Sequence, residues 1–242
     1  MNTAEIMAAL EAAGTAQNRK IAKRHGVDDN VFGVLRSEVN KLVKQIKINH
    51  TAALELWETG NFDARTVATM IADPQKIDEA TLTHWGETTH DYGTAGEVSN
   101  IIAKTPYIRA FMERWTNDEG EWLGRIGWLL LSHLAAGDNS LPDSFFLPYL
   151  ATIEEGIHTA KNRTRDAMNT ALISIGTRNA ALEGPAYAAA KRIGRVEVDH
   201  GQTDCETPLA IPYMDRIKAH RAKRAAEKEA KSAAAKATKG KK

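Results

Sequence analysis

The chain has 242 residues, enough for one sizeable domain or a short array of helical repeats, and its wealth of Ala and Leu with few aromatics favours helices over strands. Its net charge of +1 hides an asymmetry: residues 216–242 carry eleven Lys/Arg against two Glu, a net of +9, which leaves residues 1–215 at −8. No stretch approaches the roughly 18 apolar residues of a membrane span, Glu5 stands where a signal peptide needs basic residues, and the single Cys205 excludes an internal disulfide framework. A soluble, cytoplasmic protein without a cofactor is expected. A uniformly cationic nucleic-acid binder is excluded, so any such binding must draw on a local groove and on the basic tail.

The apolar periodicity predicts short amphipathic helices separated by short breaks. Residues 3–13 and 15–23 form a first pair, split at Gly14. Residues 31–46 follow, with Val31, Leu35, Val39, Leu42, Val43 and Ile46 at helical spacing. Then come 50–59, ended by Gly60, and 62–71, ended at Asp73 and Pro74. Later segments are 78–85, 95–102, 106–115, 119–136, a long 147–175 with a candidate break near Gly156, and 180–193. No exact repeat is visible. So many helices joined by short turns fit antiparallel pairs stacked as an α-solenoid, or a globular bundle.

The stretch from His50 to Arg65, running on to Pro74, carries Leu54, Trp57, Asn61, Asp63, Ala64, Arg65 and Pro74 in order. In this it resembles the DNA alkylation repair (AlkD-like) family. Trp85, the Lys104-Thr105-Pro106 run, Trp122 with Arg125, and the segment from Ala171 to Asn179 match further family positions. The resemblance covers roughly residues 30–195. It implies an all-α fold of HEAT-like repeats, an α-α superhelix that grips duplex DNA in a concave groove. Residues 1–215 would form that domain, with 1–29 as an N-terminal helical cap and 216–242 as a Lys/Arg/Ala-rich tail, helical or disordered.

Active members of the family excise cationic alkylated purines. Such a base leaves readily, so the site must stabilise positive charge growing on the deoxyribose, a task for a carboxylate and for aromatic faces. The family pattern supplies a Trp, an Asp four residues later and a second Trp. Here those positions hold His90, Thr94 and Thr170, while Asp91 keeps a second acid and Arg125 is retained. Thr94 has no charge to offer. Asp91 is a weak substitute, because in a helix it would point about 300° round from Thr94. Loss or change of the glycosylase activity follows.

Taken as one helix, residues 153–175 place His158, Asn162, Arg165 and Asn169 on one narrow face. Arg suits phosphate and Asn suits fixed hydrogen bonds, so this stripe, with Arg125 and Lys161, forms the expected DNA-binding set. Arg163 and Arg178 add charge beside it. The alternative is a solvated face or a network locking neighbouring helices together.

Asp199, His200, Asp204 and Cys205 are donors for a metal, or a Cys–His pair for nucleophilic chemistry. No CxxC or HxxxH spacing accompanies them, so no metal site is assigned and a structured loop capping the last repeat is the simpler reading. Trp57, Trp85, Trp115, Trp122 and Trp128 read as packing, with Trp122 the one nearest a groove. His25, His84 and His133 read as incidental. The expected partner is double-stranded DNA, damaged or distorted, and no membrane. A helical-repeat scaffold for a protein partner is the alternative that the acidic body favours.

Overall fold

A computed structural model describes residues 1–239, with side chains described through residue 231. The described residues form thirteen helices and no strand: α1 (Thr3–Ala13), α2 (Ala16–Arg24), α3 (Arg36–Ile46), α4 (His50–Glu58), α5 (Phe62–Ile71), α6 (Glu79–Glu87), α7 (Tyr92–Ile102), α8 (Ile108–Trp115), α9 (Glu121–Gly137), α10 (Asp143–Gly156), α11 (Asn162–Gly176), α12 (Ala180–Ile193) and α13 (Ala210–Lys239). No helix is long and apolar enough to cross a membrane among the described residues.

The fold is an all-α HEAT-like solenoid. Helices α5, α7, α9 and α11 lie side by side, each against the next, and α4, α8 and α12 cover α5, α9 and α11 from the second layer. Between the layers runs one continuous core, from Ile6 and Leu10 through Trp57, Trp85, Phe111 and Ile126 to Leu172 and Met214. Each helix pair alone leaves an apolar stripe uncovered, and stacking the next pair buries it. Side chains cap many of the helix starts: Asn49 on α4, Asn61 on α5, Asp78 on α6, Asn179 on α12, and Asp91 on α7, which begins three residues before the predicted 95, each accept backbone N–H bonds.

The stretch most characteristic of the resemblance is architectural. Trp57 stacks on Trp85 with ring centroids 4.5 Å apart, and the Arg65 guanidinium lies 4.7 Å from the Trp57 ring while donating to Thr88 O at 2.8 Å. Burial lowers the Arg65 pKa, opposed by the carboxylates of Asp91 and Glu58. Asp63, 2% exposed, accepts from Phe32 N, Gly33 N and Val34 N at 2.8 to 3.1 Å.

That carboxylate explains a correction to the predicted helices. Residues 31–35 are not helical, and α3 begins only at Arg36. Three consecutive N–H groups are turned onto Asp63 instead of along a helix axis. Gly33 sits at φ +77°, where a Cβ would meet Thr15 O at 2.8 Å. The candidate break near Gly156 is present: residues 147–175 fall in two helices separated over 157–161, and the first of them starts earlier than expected, at Asp143.

Candidate nucleic-acid interface

Parallel helices α5, α7, α9 and α11 bring their N-termini to one edge of the solenoid, and the contacts there are direct. An added Cβ at Gly93 of α7 would lie 2.9 Å from the Phe62 ring of α5. The Arg125 guanidinium of α9 lies 3.9 Å from the centroid of Tyr92 at the start of α7, and that of Arg163 on α11 lies 5.1 Å from it. Glu121 of α9 accepts from Arg163 N at 2.7 Å and so caps α11. Helix N-termini carry positive partial charge and unpaired N–H groups, so such an edge attracts anions.

Residues 194–209 cross this edge as a non-helical strap between α12 and α13. The predicted stripe holds it down. His158 Nε2 meets Ile193 O at 2.9 Å, Asn162 Nδ2 donates to Asp199 O at 2.7 Å, Arg165 Nη1 donates to Glu197 O at 2.7 Å, and Asn169 Nδ2 donates to Pro208 O at 3.0 Å. These four do not share a face of one helix, because His158 lies in the break before α11. Three of them, Asn162, Arg165 and Asn169, share a partner, the backbone of the strap, and His158 holds the last residue of α12 just before it. Arg165 also donates to Ala160 O at 2.9 Å. Lys161, exposed, is the N-cap residue of α11.

Arg125 is 3% exposed and donates to Asp166 Oδ2 at 2.6 Å and to Arg163 O at 3.2 Å. Arg178 is also internal: it donates to Ala135 O, Asp138 O and Leu141 O and closes the C-terminal end of α9. Trp122 is partly buried against the core.

The positions that resemble the family's catalytic set are scattered in environment. Thr94 is 0% exposed, with no hydrogen-bond partner for its Oγ1. His90 and Thr170 are exposed, and Thr170 Oγ1 donates to Asp166 O at 3.0 Å. Asp91 lies before α7 rather than within it, so the angle expected from a helix does not apply. Its carboxylate accepts from Thr94 N at 2.8 Å. Four acids on this edge are engaged: Asp91 and Glu121 by helix N-termini, Asp166 by Arg125, and Asp63 by three N–H groups.

The donors of residues 199–205 do not converge. His200 Nε2 meets Thr207 Oγ1 at 2.9 Å, Asp199 Oδ1 accepts from Gly201 N at 2.7 Å, and Cys205 is exposed. Among the described residues no group of three or more His, Cys, Asp or Glu is placed to hold a metal.

Sequence reasoning missed the contribution of α2. A concavity of about 700 Å³ opens between α2 and the strap, lined by Lys20, Lys23, Arg24, His25 and Arg163. Lys23 is paired with Asp29, whereas Lys20 and Arg24 are exposed and form no ion pair among the described residues. The strap meets α2 at Gly201, φ +67°, where a Cβ would lie 2.9 Å from Arg24 O. The signal was present as basic residues at i, i+3 and i+4. Nothing in the sequence tied them to residues 162–202.

The chain is 29% identical over 217 residues to the uncharacterised proteins Lin0241 of Listeria innocua and Lmo0209 of Listeria monocytogenes, covering 86% of this chain and 94% of each of theirs. It also superposes with a TM-score of 0.82 and 27% identity on a solved structure described as a new family of proteins related to the HEAT-like repeat DNA glycosylases with affinity for branched DNA structures. That match covers 89% of this chain and 93% of the other. Residues 6–202 match the DNA alkylation repair enzyme family, and the chain belongs to it.

Proposed function

We propose that this chain binds damaged or distorted duplex DNA along the edge formed by α2, the strap and the N-termini of α5 to α11, without releasing alkylated bases. The observation that carries this reading is Thr94, an uncharged and fully buried residue where the family pattern has its carboxylate. Asp91, the nearest alternative, caps the N-terminus of α7, so the position that holds the family's carboxylate offers no charge to stabilise one developing on a sugar. Lys20, Arg24, Lys161 and Arg163 are the cations proposed to meet phosphate. Arg125, His158, Asn162, Arg165 and Asn169 act by holding the strap and α11 in register.

The solved relative has affinity for branched DNA structures, and a preference for DNA that departs from a straight duplex is part of this proposal. The acidic balance of residues 1–215, −8, favours a second reading, a scaffold for a protein partner. The test is base release from a duplex carrying N7-methylguanine, beside binding of the same duplex at two salt concentrations. The proposal expects release at the spontaneous rate with salt-sensitive binding. Release above that rate would contradict it, and neither release nor binding would leave the scaffold.

A further inference from the structure

Three of the large hydrophobic side chains exposed on this protein, Ile21 at 41%, Leu35 at 55% and Tyr92 at 40%, gather round one cavity. It holds about 320 Å³ and is lined also by Val27, Val31 and Phe62, the small end of the roughly 300–1,000 Å³ typical of ligand pockets. Exposed apolar groups clustered around a concavity mark a binding surface more strongly than the same groups scattered. Two polar side chains also line it, Asn18 and His25. Among the described residues neither the Asn18 amide nor the His25 ring has a hydrogen-bond partner. The Asp63 carboxylate, also in the lining, already accepts from three backbone N–H groups.

His25 lines both this cavity and the basic concavity of Lys20, Lys23, Arg24 and Arg163. The arrangement therefore sets an anion site beside a small apolar slot with an aromatic rim and unused hydrogen-bonding groups. A nucleotide has that same division into phosphate and flat, edge-polar base. Resting on the DNA-binding reading above, we infer that the cavity receives a single unpaired nucleobase of the bound DNA, stacked at Tyr92 and met on its edge by Asn18 and His25.

A paired base must first leave its stack, whereas an unpaired one has no pairing to break. Base stacking on an aromatic side chain contributes about 1–3 kcal/mol. DNA with an extruded nucleotide is therefore expected to bind at least about fivefold tighter than the same fully paired duplex.

The test compares a perfect duplex with the same duplex carrying one extra, unpaired 2-aminopurine nucleotide. Wild type should prefer the second, and 2-aminopurine emission should fall on binding. Ile21→Trp, which fills the mouth, and Leu35→Gln, which breaks its apolar rim, should each abolish the preference while the paired duplex binds as before. Both sites are exposed and both changes are neutral in charge, so folding and the phosphate contacts are spared. Equal, salt-sensitive binding of the two duplexes, or full preference retained in both variants, would overturn the pocket while leaving the DNA-binding reading intact. Absence of binding to either duplex would overturn the two together.

Discussion

Asn162 and Asp199 exchange two hydrogen bonds: Asn162 Nδ2 donates to Asp199 O and Asp199 N donates to Asn162 Oδ1, each at 2.7 Å. One side-chain amide thus treats the strap as a neighbouring strand and pins it at the start of α11. Asn162→Ala removes both bonds, each contributing about 1 kcal/mol. The expected result is faster amide hydrogen exchange confined to residues 196–204, with little change in the exchange of α9. Unchanged exchange across the strap would show that Arg165 and Asn169 hold it alone.

Arg125 and Asp166 form a buried ion pair between α9 and α11 at 2.6 Å, with side chains 4% and 12% exposed. Removing one partner leaves the other charged and desolvated, so Arg125→Ala should lower unfolding stability by about 3–5 kcal/mol. Arg125→Met/Asp166→Leu removes both charges and should lie closer to wild type. Denaturant titration of the three proteins decides it. A double variant as unstable as the single one would mean that Arg125 acts mainly through its packing on Tyr92.

Thr94 invites a pair of opposite substitutions. Its buried Oγ1 lacks a partner, so Thr94→Val should be neutral or stabilising by about 1 kcal/mol. Thr94→Asp restores the acid of the family pattern but puts a carboxylate in a fully buried position beside the engaged Asp91. It should destabilise the fold and leave release of N7-methylguanine at the spontaneous rate. Recovery of base release by Thr94→Asp would refute the account of the site given above.

The helical class, most helix positions and the family were legible because they rest on local signals: apolar spacing, breaks at Gly and Pro, and the ordered run from Leu54 to Pro74. What failed locally failed for long-range reasons. Residues 31–35 have helical apolar spacing, but Asp63, some thirty residues away, draws their N–H groups into an extended path. The stripe at His158, Asn162, Arg165 and Asn169 stands out in sequence by its residue types, but its partners are backbone carbonyls of Ile193 and the strap, 32 to 39 residues further on, which have no sequence signature. Arg125 was visible as a retained residue, whereas its pairing with Asp166 and its place over Tyr92 are tertiary facts. The basic edge joins α2 to α11 across most of the chain, so it was invisible until the solenoid brought its ends together.

His133 gives a pH test of the core. Burial, and secondarily the ammonium of Lys104, hold its pKa below the ordinary 6.5. The unfolded chain therefore takes up a proton at this position before the folded chain does. Stability is fully present above pH 6.5, falls as the pH drops from there to the folded-state pKa, and then levels. His133→Gln should flatten that part of the stability profile, measured by denaturant titration across the window. An unaltered slope would assign the acid limb to other groups.

The measurement that bears most directly on the central claim is the salt dependence of duplex binding by wild type and by Lys20→Ala/Arg24→Ala. Both side chains are exposed, so the fold should survive. If α2 meets phosphate, affinity falls steeply between roughly 50 and 200 mM salt, and the double variant loses about two units of the log–log slope. Identical affinity and slope in the two proteins would contradict the account and remove α2 from the interface.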